Sequence, residues 1–564
     1  GDVIFHCHLY PHFHEGMWTL WRIYDRLEDG KGQLPDGTPV PALLPLKDRE
    51  RPPKKDKLHP GYPNFICGKA GEPPRQPPCG VLDAEGNPVV CPTLLEEANF
   101  VENAAPGALY TDTCPCHTTG RCRKCADFEK YSVEKCEAGR SCCEEKEKCE
   151  DNETSFEKDK NPDDCKECFG TDGECGNCRT CRKMETHCEN VKVFEIALVQ
   201  AKLTYNRYGW HDPEGRFFVL KEELERCGGL ESYIRMVEEQ KIRVEPLVIR
   251  ANAGDCIELR TTNLLPEYLE ETPFQLKTRT DIVGHHVHLV KFDTITSDGA
   301  TNGWNNIAGA RKYETLVERF FADEELRTVF FHDHLFANAH QFHGVFGALI
   351  IEEAGATFHN IRSGKELRFG TKAVIRRRDG TSFREFALFV HDFANLFDKD
   401  GEALNPPAVP GGHDDPGVMG INYRSEPMRE RLKNFEDPAY IFSSYVHGDP
   451  ATPVYKAYAG DRVIFRTMMP ADKPRNVSLT IHGHLWREQP KDALSREIPL
   501  QGGISVGNRF DMELKGGAGC PGDYLYRSGS FGWDVESGMW GIFRVKKPSV
   551  WRKCREICGR ILRQ

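Results

Sequence analysis

No run of 18 consecutive apolar residues occurs anywhere in the 564-residue chain, which leaves no candidate for a hydrophobic transmembrane helix. Positive charge is also in short supply. Lys and Arg number 75 against 86 Asp and Glu, a formal net charge of −11 at pH 7. That balance does not suit a nucleic-acid surface and weakly favours cationic partners. An initiator Met and a signal-peptide pattern are both missing. Since GDVIFHCHL reads as a β-strand from its first residues, the expectation is that Gly1 marks a cut through a domain, with any targeting information upstream.

One segment lacks the side chains that make a core. Between Cys114 and Cys188 there is no Leu, Ile or Trp, and Val133 is the only β-branched aliphatic residue. Such a segment cannot fold around apolar burial. It carries instead 14 of the 23 cysteines, in CPC (114–116), CRKC (122–125), CKEC (165–168) and CGNCRTC (175–181). Up to seven disulfides or thiolate-bound structural zinc would both hold it, and both stay open. Disulfides would imply an exported protein.

The rest of the chain reads as β-structure, and 39% hydrophobic residues suffice for more than one core. EPLVIRANAGDCIELRTTN (245–263), TVFFHDH, GALIIEE, REFALFVHDF and DRVIFRT are short, alternating or β-branched, and bounded by Gly, Pro, Asn or Asp. That pattern predicts antiparallel sandwiches. Helical periodicity is confined to 220–240 and to the basic tail 549–564.

The motifs repeat. ANAGDCIELR (251–260) is echoed by AYAGDRVIFR (457–466), and an HxH pair follows each, His286 with His288 and His482 with His484. The first His of each pair precedes a landmark strand by 46 residues in one copy (286 to 332) and 45 in the other (482 to 527). GDVIFHCHLYPHFHEGMWTLWRI at the N-terminus aligns, with one inserted residue, onto GDYLYRSGSFGWDVESGMWGIFRV (522–545). Three copies of one domain are therefore expected, the first represented only by its last strand.

Successive side chains of a strand point to opposite faces, so Cys7 faces one way while His6 and His8 face the other. Cys7, His12 and Met17 offer a thiolate, an imidazole and a weak thioether, the ligand set of a blue-copper electron-transfer centre. His6 and His8 are free for a second site directly behind it. Ligand type alone does not exclude iron or zinc.

HCHLYPHFHEGM (6–17), HVH (286–288) and FFHDHL (330–335) together resemble the motifs of multicopper oxidases, and the chain is similar to the large bacterial members related to manganese oxidases. The resemblance covers residues 1–24 and about 191–548. It implies an all-β fold of tandem cupredoxin-like Greek-key sandwiches with an irregular cysteine-rich insertion. The implied boundaries are 1–24 for the closing strand of a truncated domain, 25–190 for linker and insertion, 191–355 for a domain with HxH and HDH, 356–548 for a degenerate domain, and 549–564 for the tail. It further implies that Cys7 and His12 bind type 1 copper with Met17 axial. His6, His8, His288, His332 and His334 would bind the type 3 pair and His286 the type 2 copper, with Cys7, His6 and His8 as the catalytic strand. The remaining ligands would come from upstream residues or a second copy of the chain in a homo-oligomer. Dioxygen would be one partner, and Mn(II), another metal ion or a phenol the reductant. An extracellular or periplasmic location follows from the resemblance and the cysteine usage.

Departures from the family pattern are as informative. Asp333 stands at the Cys position of the second copy, so no type 1 copper is expected there. In the third copy Arg527, Ser528 and Gly529 replace HCH, which makes His482 and His484 vestigial or structural, with a mononuclear copper as the alternative. His285, His340 and His343 read as packing or supporting residues. A copper nitrite reductase needs only a three-histidine mononuclear site, and the six histidines of HCH, HxH and HDH exceed it. A copper-binding fragment without turnover is the other rival.

Overall fold

The computed structural model describes residues 81–87, 191–266, 282–292, 297–300, 309–335, 340–404, 418–470 and 476–548, together with the backbone of 2–6 and 18–22. Cys7, His8, His12, Met17, the cysteine-rich insertion and the basic tail lie outside the described residues.

The chain opens on an antiparallel hairpin, β1 (Asp2–His6) with β2 (Trp18–Arg22), in which His6 lies opposite Trp18. One closing strand is expected there from the sequence; there are two, since Trp18–Arg22 pairs antiparallel along Asp2–His6.

A two-sheet sandwich follows. Its strands are β3 (Val81–Leu82), β4 (Val191–Thr204), β5 (His211–Leu220), β6 (Leu247–Asn252), β7 (Cys256–Asn263), β8 (His286–Val287), β9 (Lys291–Phe292), β10 (Thr315–Phe321), β11 (Arg327–His332) and β12 (Phe346–Glu352). One sheet runs β3-β10-β7-β4-β5 with β9 on β10, and the other runs β6-β12-β11-β8. The edge strand β3 comes from the stretch expected to be linker and packs Val81 against Ala310 and Leu316. Helices α1 (Lys221–Arg226) and α2 (Leu230–Glu238) occupy the stretch with helical periodicity, and α2 turns Tyr233 and Val237 into the core.

A second sandwich contains β13 (Thr357–His359), β14 (Lys372–Arg376), β15 (Ser382–Ala394), β16 (Val418–Ile421), β17 (Val454–Tyr458), β18 (Val463–Met468) and β19 (Val477–Ile481). A short ribbon of β20 (Trp486–Arg487) and β21 (Glu497–Ile498) precedes β22 (Leu500–Ile504), β23 (Arg509–Glu513), β24 (Gly522–Ser528) and β25 (Trp540–Lys546). Its sheets run β13-β14-β15-β18-β23, with β16 on β15, and β17-β25-β24-β19-β22. The order β6-β12-β11-β8 thus recurs as β17-β25-β24-β19.

Each sheet holds one parallel pair, β4 with β7, β6 with β12, β15 with β18 and β17 with β25, where antiparallel pairing alone is expected from the strand pattern. Parallel neighbours need a crossover, and here the chain passes through the opposite sheet before it returns. Burial explains the continuous apolar run of β12. Phe346, Ala348 and Ile350 face a core shared with Ala387 and Phe389 of β15, while Leu349 and Ile351 face the interior of their own sandwich. Both faces are dry, so the alternation disappears. Among the described residues no helix is long and apolar enough to cross a membrane.

Candidate metal centre

Four histidines meet where β8 and β11 end. These strands pair antiparallel with His286 opposite His332 and Val287 opposite Phe331. The two-residue period of a strand then sends Val287 and Phe331 into the apolar core and leaves the histidines on the other side. Ring centroids lie 5.1 Å apart for His286 and His288, 5.2 Å for His288 and His332, and 5.4 Å for His332 and His334. His286 and His334 stack at 4.2 Å. Phe330 stacks on His332 at 4.8 Å and Phe292 meets His286 edge-on at 6.0 Å, so the cluster has apolar flanks.

The nitrogens are sorted by their partners. His286 Nδ1 faces the Asp298 carbonyl at 2.8 Å, and His332 Nδ1 faces the Asp333 carbonyl at 2.5 Å with the Gln341 amide beside it. For His286, an Nδ1 proton given to that carbonyl fixes the tautomer that leaves Nε2 as a lone-pair donor, whereas at His332 the Gln341 amide shares the Nδ1 side with the carbonyl. His288 Nε2 and His332 Nε2 lie 3.1 Å apart. Metal–imidazole bonds of about 2.0 Å at angles of about 90–110° put neighbouring nitrogens roughly 2.8–3.3 Å apart, so this separation fits two ligands of one ion. Burial holds His288 well below the ordinary imidazole value, with His286, His334 and Arg509 acting in the same direction and Asp298 opposing them. It is therefore neutral at physiological pH, as a ligand must be.

Asp298 is the addition that residue patterns did not announce. Its Oδ1 is 3.5 Å from His286 Nδ1 and its Oδ2 is 3.6 Å from His334 Nδ1. Donor atoms of His286, Asp298 and His334 all fall within 4.8 Å of one another. Because both imidazoles turn Nδ1 to it, Asp298 reads as an orienting carboxylate behind the rings. Two glycines let its loop come so close. A Cβ on Gly284 would lie 1.7 Å from the Gly299 carbonyl oxygen, and one on Gly299, at φ +69°, would lie 2.6 Å from main-chain atoms of His285. The DG pair ten residues beyond HVH was the available signal.

The strand register relates the three hairpins. His6, His332 and Arg527 lie opposite Trp18, Phe346 and Trp540, so the next residues, Cys7, Asp333 and Ser528, are equivalent. Asp333 is fully buried, accepts the Gly284 N–H at 2.8 Å and opposes the buried charge of Arg216. A carboxylate with these duties is no substitute for a thiolate. In the third copy Ser528 Oγ donates to Asp534, and Arg527 Nε donates to His482 Nε2 at 3.2 Å. His484 Nε2 lies 3.1 Å from the Ala518 carbonyl. His285 packs between Phe218 and Phe331 with Nδ1 on Thr261 Oγ1, His343 bonds Asp212 at 2.8 Å, and His340 is buried beside the same turn. His6 closes β1; the type 1 candidates Cys7, His12 and Met17, and with them His8, lie outside the described residues.

No protein-family model and no curated protein matches the chain. Solved structures do match, and they include multicopper oxidases, the family that the HCH motif resembles. One is described as a multicopper oxidase (14% identity, 63% of this chain and 89% of that one, TM-score 0.38). Another is the blue copper oxidase from Nitrosomonas europaea (16%, 64% and 86%, TM-score 0.37). A third is the multicopper oxidase mgLAC (15%, 64% and 90%, TM-score 0.39). None of these three is named as a manganese oxidase.

Proposed function

We propose that the chain is part of a copper-dependent oxidase in which the HCH strand and the four-histidine cluster of the first sandwich work together. Cys7, His12 and Met17 would hold a type 1 copper, His6, His8, His288, His332 and His334 a type 3 pair, and His286 the type 2 ion. Bound copper supplies one-electron transfer and the four-electron reduction of dioxygen to water. The observation that carries this reading is the 3.1 Å approach of His288 Nε2 to His332 Nε2, with Nδ1 of His286 and His332 occupied by main-chain carbonyls.

The chain's own contribution is pre-organisation. Burial keeps the His288 proton off, so ligation there displaces none. Asp298 braces His286 and His334 and adds negative charge beside the cations. Phe292 and Phe330 exclude water from the flanks. Mn(II) or another metal ion is the proposed reductant, in keeping with the net acidic charge, and a phenol is the competing donor. Action outside the cytosol goes with the cysteine-rich insertion. Ligands still missing would come from upstream residues or a second copy.

Copper-loaded protein, assayed for dioxygen uptake with Mn(II), Fe(II) and a phenol in parallel, tests this. The expected result is a copper–thiolate absorption band that disappears with the uptake in Cys7→Ser while cluster copper remains. Copper binding by a His288→Ala/His332→Ala variant equal to that of the unmodified chain would refute it.

A further inference from the structure

The second sandwich carries a cleft that shares no residue with the histidine cluster. It opens between the turn joining β17 to β18, the loop that follows β23 and the ribbon of β20 and β21, and its volume is about 370 Å³. That is near the small end of the range of about 300–1,000 Å³ for ligand pockets. Main-chain bonds fix all three walls. The Leu514 N–H donates to the Val463 carbonyl at 3.0 Å, the Ala518 N–H to the Asp461 carbonyl at 2.8 Å, and the Lys515 N–H to the Leu485 carbonyl at 2.7 Å, next to fully buried Trp486. A Cβ on Gly517 would lie 2.2 Å from the Asp461 carbonyl oxygen, so glycine lets the loop close on that turn. One on Gly516 would meet nothing within 4 Å, which leaves the cleft open beside it.

Charge singles out one side chain of the lining. Arg462 pairs with Glu513 Oε1 at 2.6 Å, and Lys515 pairs with Glu497 Oε2 at 2.6 Å. Arg487 lies across the ribbon from Glu497, whose carboxylate Lys515 already takes, and its guanidinium has no ion pair or hydrogen bond among the described residues. Three cations therefore line the cleft against two carboxylates, an excess of one positive charge on a chain whose formal charge is −11. Pro490 and buried Leu514 supply its apolar part.

We propose that this cleft binds a small organic carboxylate that carries hydroxyl groups. The planar guanidinium of Arg487 matches a carboxylate through two parallel N–H···O bonds, a fit that a neutral polyol does not offer. Each existing ion pair uses one carboxylate oxygen, so the second oxygens of Glu497 and Glu513 are left to accept ligand hydroxyls, while Pro490 and Leu514 meet the carbon chain. A single negative charge balances the excess. A multiply charged anion such as phosphate would instead meet the repulsion of the two glutamates.

Equilibrium dialysis of the full-length chain against labelled gluconate tests this, with sorbitol as the neutral competitor and inorganic phosphate as the inorganic one. Saturable gluconate binding in the millimolar range is expected, weakened about tenfold in Arg487→Gln and less in Arg487→Lys, with neither competitor displacing it. Because no residue is shared with the histidines, the affinity should be the same with and without copper. Arg487 is exposed, so Arg487→Gln should keep the urea midpoint of the unmodified chain. The competition is read from the unmodified chain, which keeps the proposal falsifiable even where the variant does not fold. Absence of saturable gluconate binding, equal binding by Arg487→Gln, or displacement by sorbitol or phosphate at concentrations equal to gluconate would each overturn it.

Discussion

Replacing Asp298 by Asn keeps the main-chain carbonyl that orients His286 and removes only the charge. The carboxylate oxygens lie 3.5 Å from His286 Nδ1 and 3.6 Å from His334 Nδ1. A dication on the far side of either ring would be about 7 Å from that charge once an imidazole and a metal–nitrogen bond of about 2.0 Å are added. At an effective dielectric of about 20–40 the attraction is about 2–5 kcal/mol. Loss of a group that supports a ligand typically lowers metal affinity about 10–100-fold, or about 1.4–2.7 kcal/mol. Asp298 is partly exposed, so water screens it and the smaller figure governs. Asp298→Asn should therefore weaken Cu(II) binding about 10–100-fold, as read by competition with a chelator of known affinity at pH 7.5. An affinity within twofold of the unmodified chain would refute the electrostatic role. A loss as complete as that of His286→Ala would make Asp298 a direct ligand and refute the bracing role.

Gly299→Ala should destabilise the chain by more than about 1 kcal/mol in urea unfolding, from the positive φ alone, and weaken metal binding, because its Cβ would meet His285 main chain and displace Asp298. Burial holds His391 down to about 3, so between pH 6.5 and 3 the unfolded chain takes up the proton and the folded one does not. Its contribution is whole above pH 6.5 and is lost as pH falls, by about 1.4 kcal/mol per unit; His391→Gln should flatten a plot of unfolding free energy against pH by that slope. Arg466 joins Glu352 of one sandwich to Glu385 (3.1 Å) and Asp511 (2.9 Å) of the other, all buried or nearly so. Arg466→Met should cost about 3–5 kcal/mol in urea unfolding by removing the cation that three carboxyls share, even though Glu385 keeps Arg250 and Glu352 keeps Arg377, and a change under 1 kcal/mol would count against the network.

Much of the architecture was legible because apolar alternation and Gly-bounded runs act locally. TVFFHDH, GALIIEE and REFALFVHDF became β11, β12 and β15 with little displacement. The parallel pairs were not legible, since one strand's pattern does not name its neighbour. The edge strand at Val81 and Leu82 was missed for a related reason, as two residues carry no period. Among site residues, HxH and HDH could be read from spacing, but their nitrogens could not be sorted. That needs the Asp298 and Asp333 carbonyls, which no side-chain motif encodes.

The shared register of the three hairpins converts a repeat in letters into a statement about chemistry. In each, the residue after the last paired position decides what the loop end can hold: Cys7, Asp333 or Ser528. Asp333 answers a backbone N–H and a buried arginine, and Ser528 answers Asp534, so both positions are already committed to holding their own loops together. The four histidines stand beside Asp333 because their rings come from the opposite face of β11 and from β8, whose register is set by core residues such as Val287 and Phe331. In the third copy the same face carries Arg527, whose guanidinium donates to His482 and brings positive charge to the place a cation would need. On the proposed reading, the middle copy offers imidazoles and no thiolate, and a strand such as the one ending in His6 would complete its site.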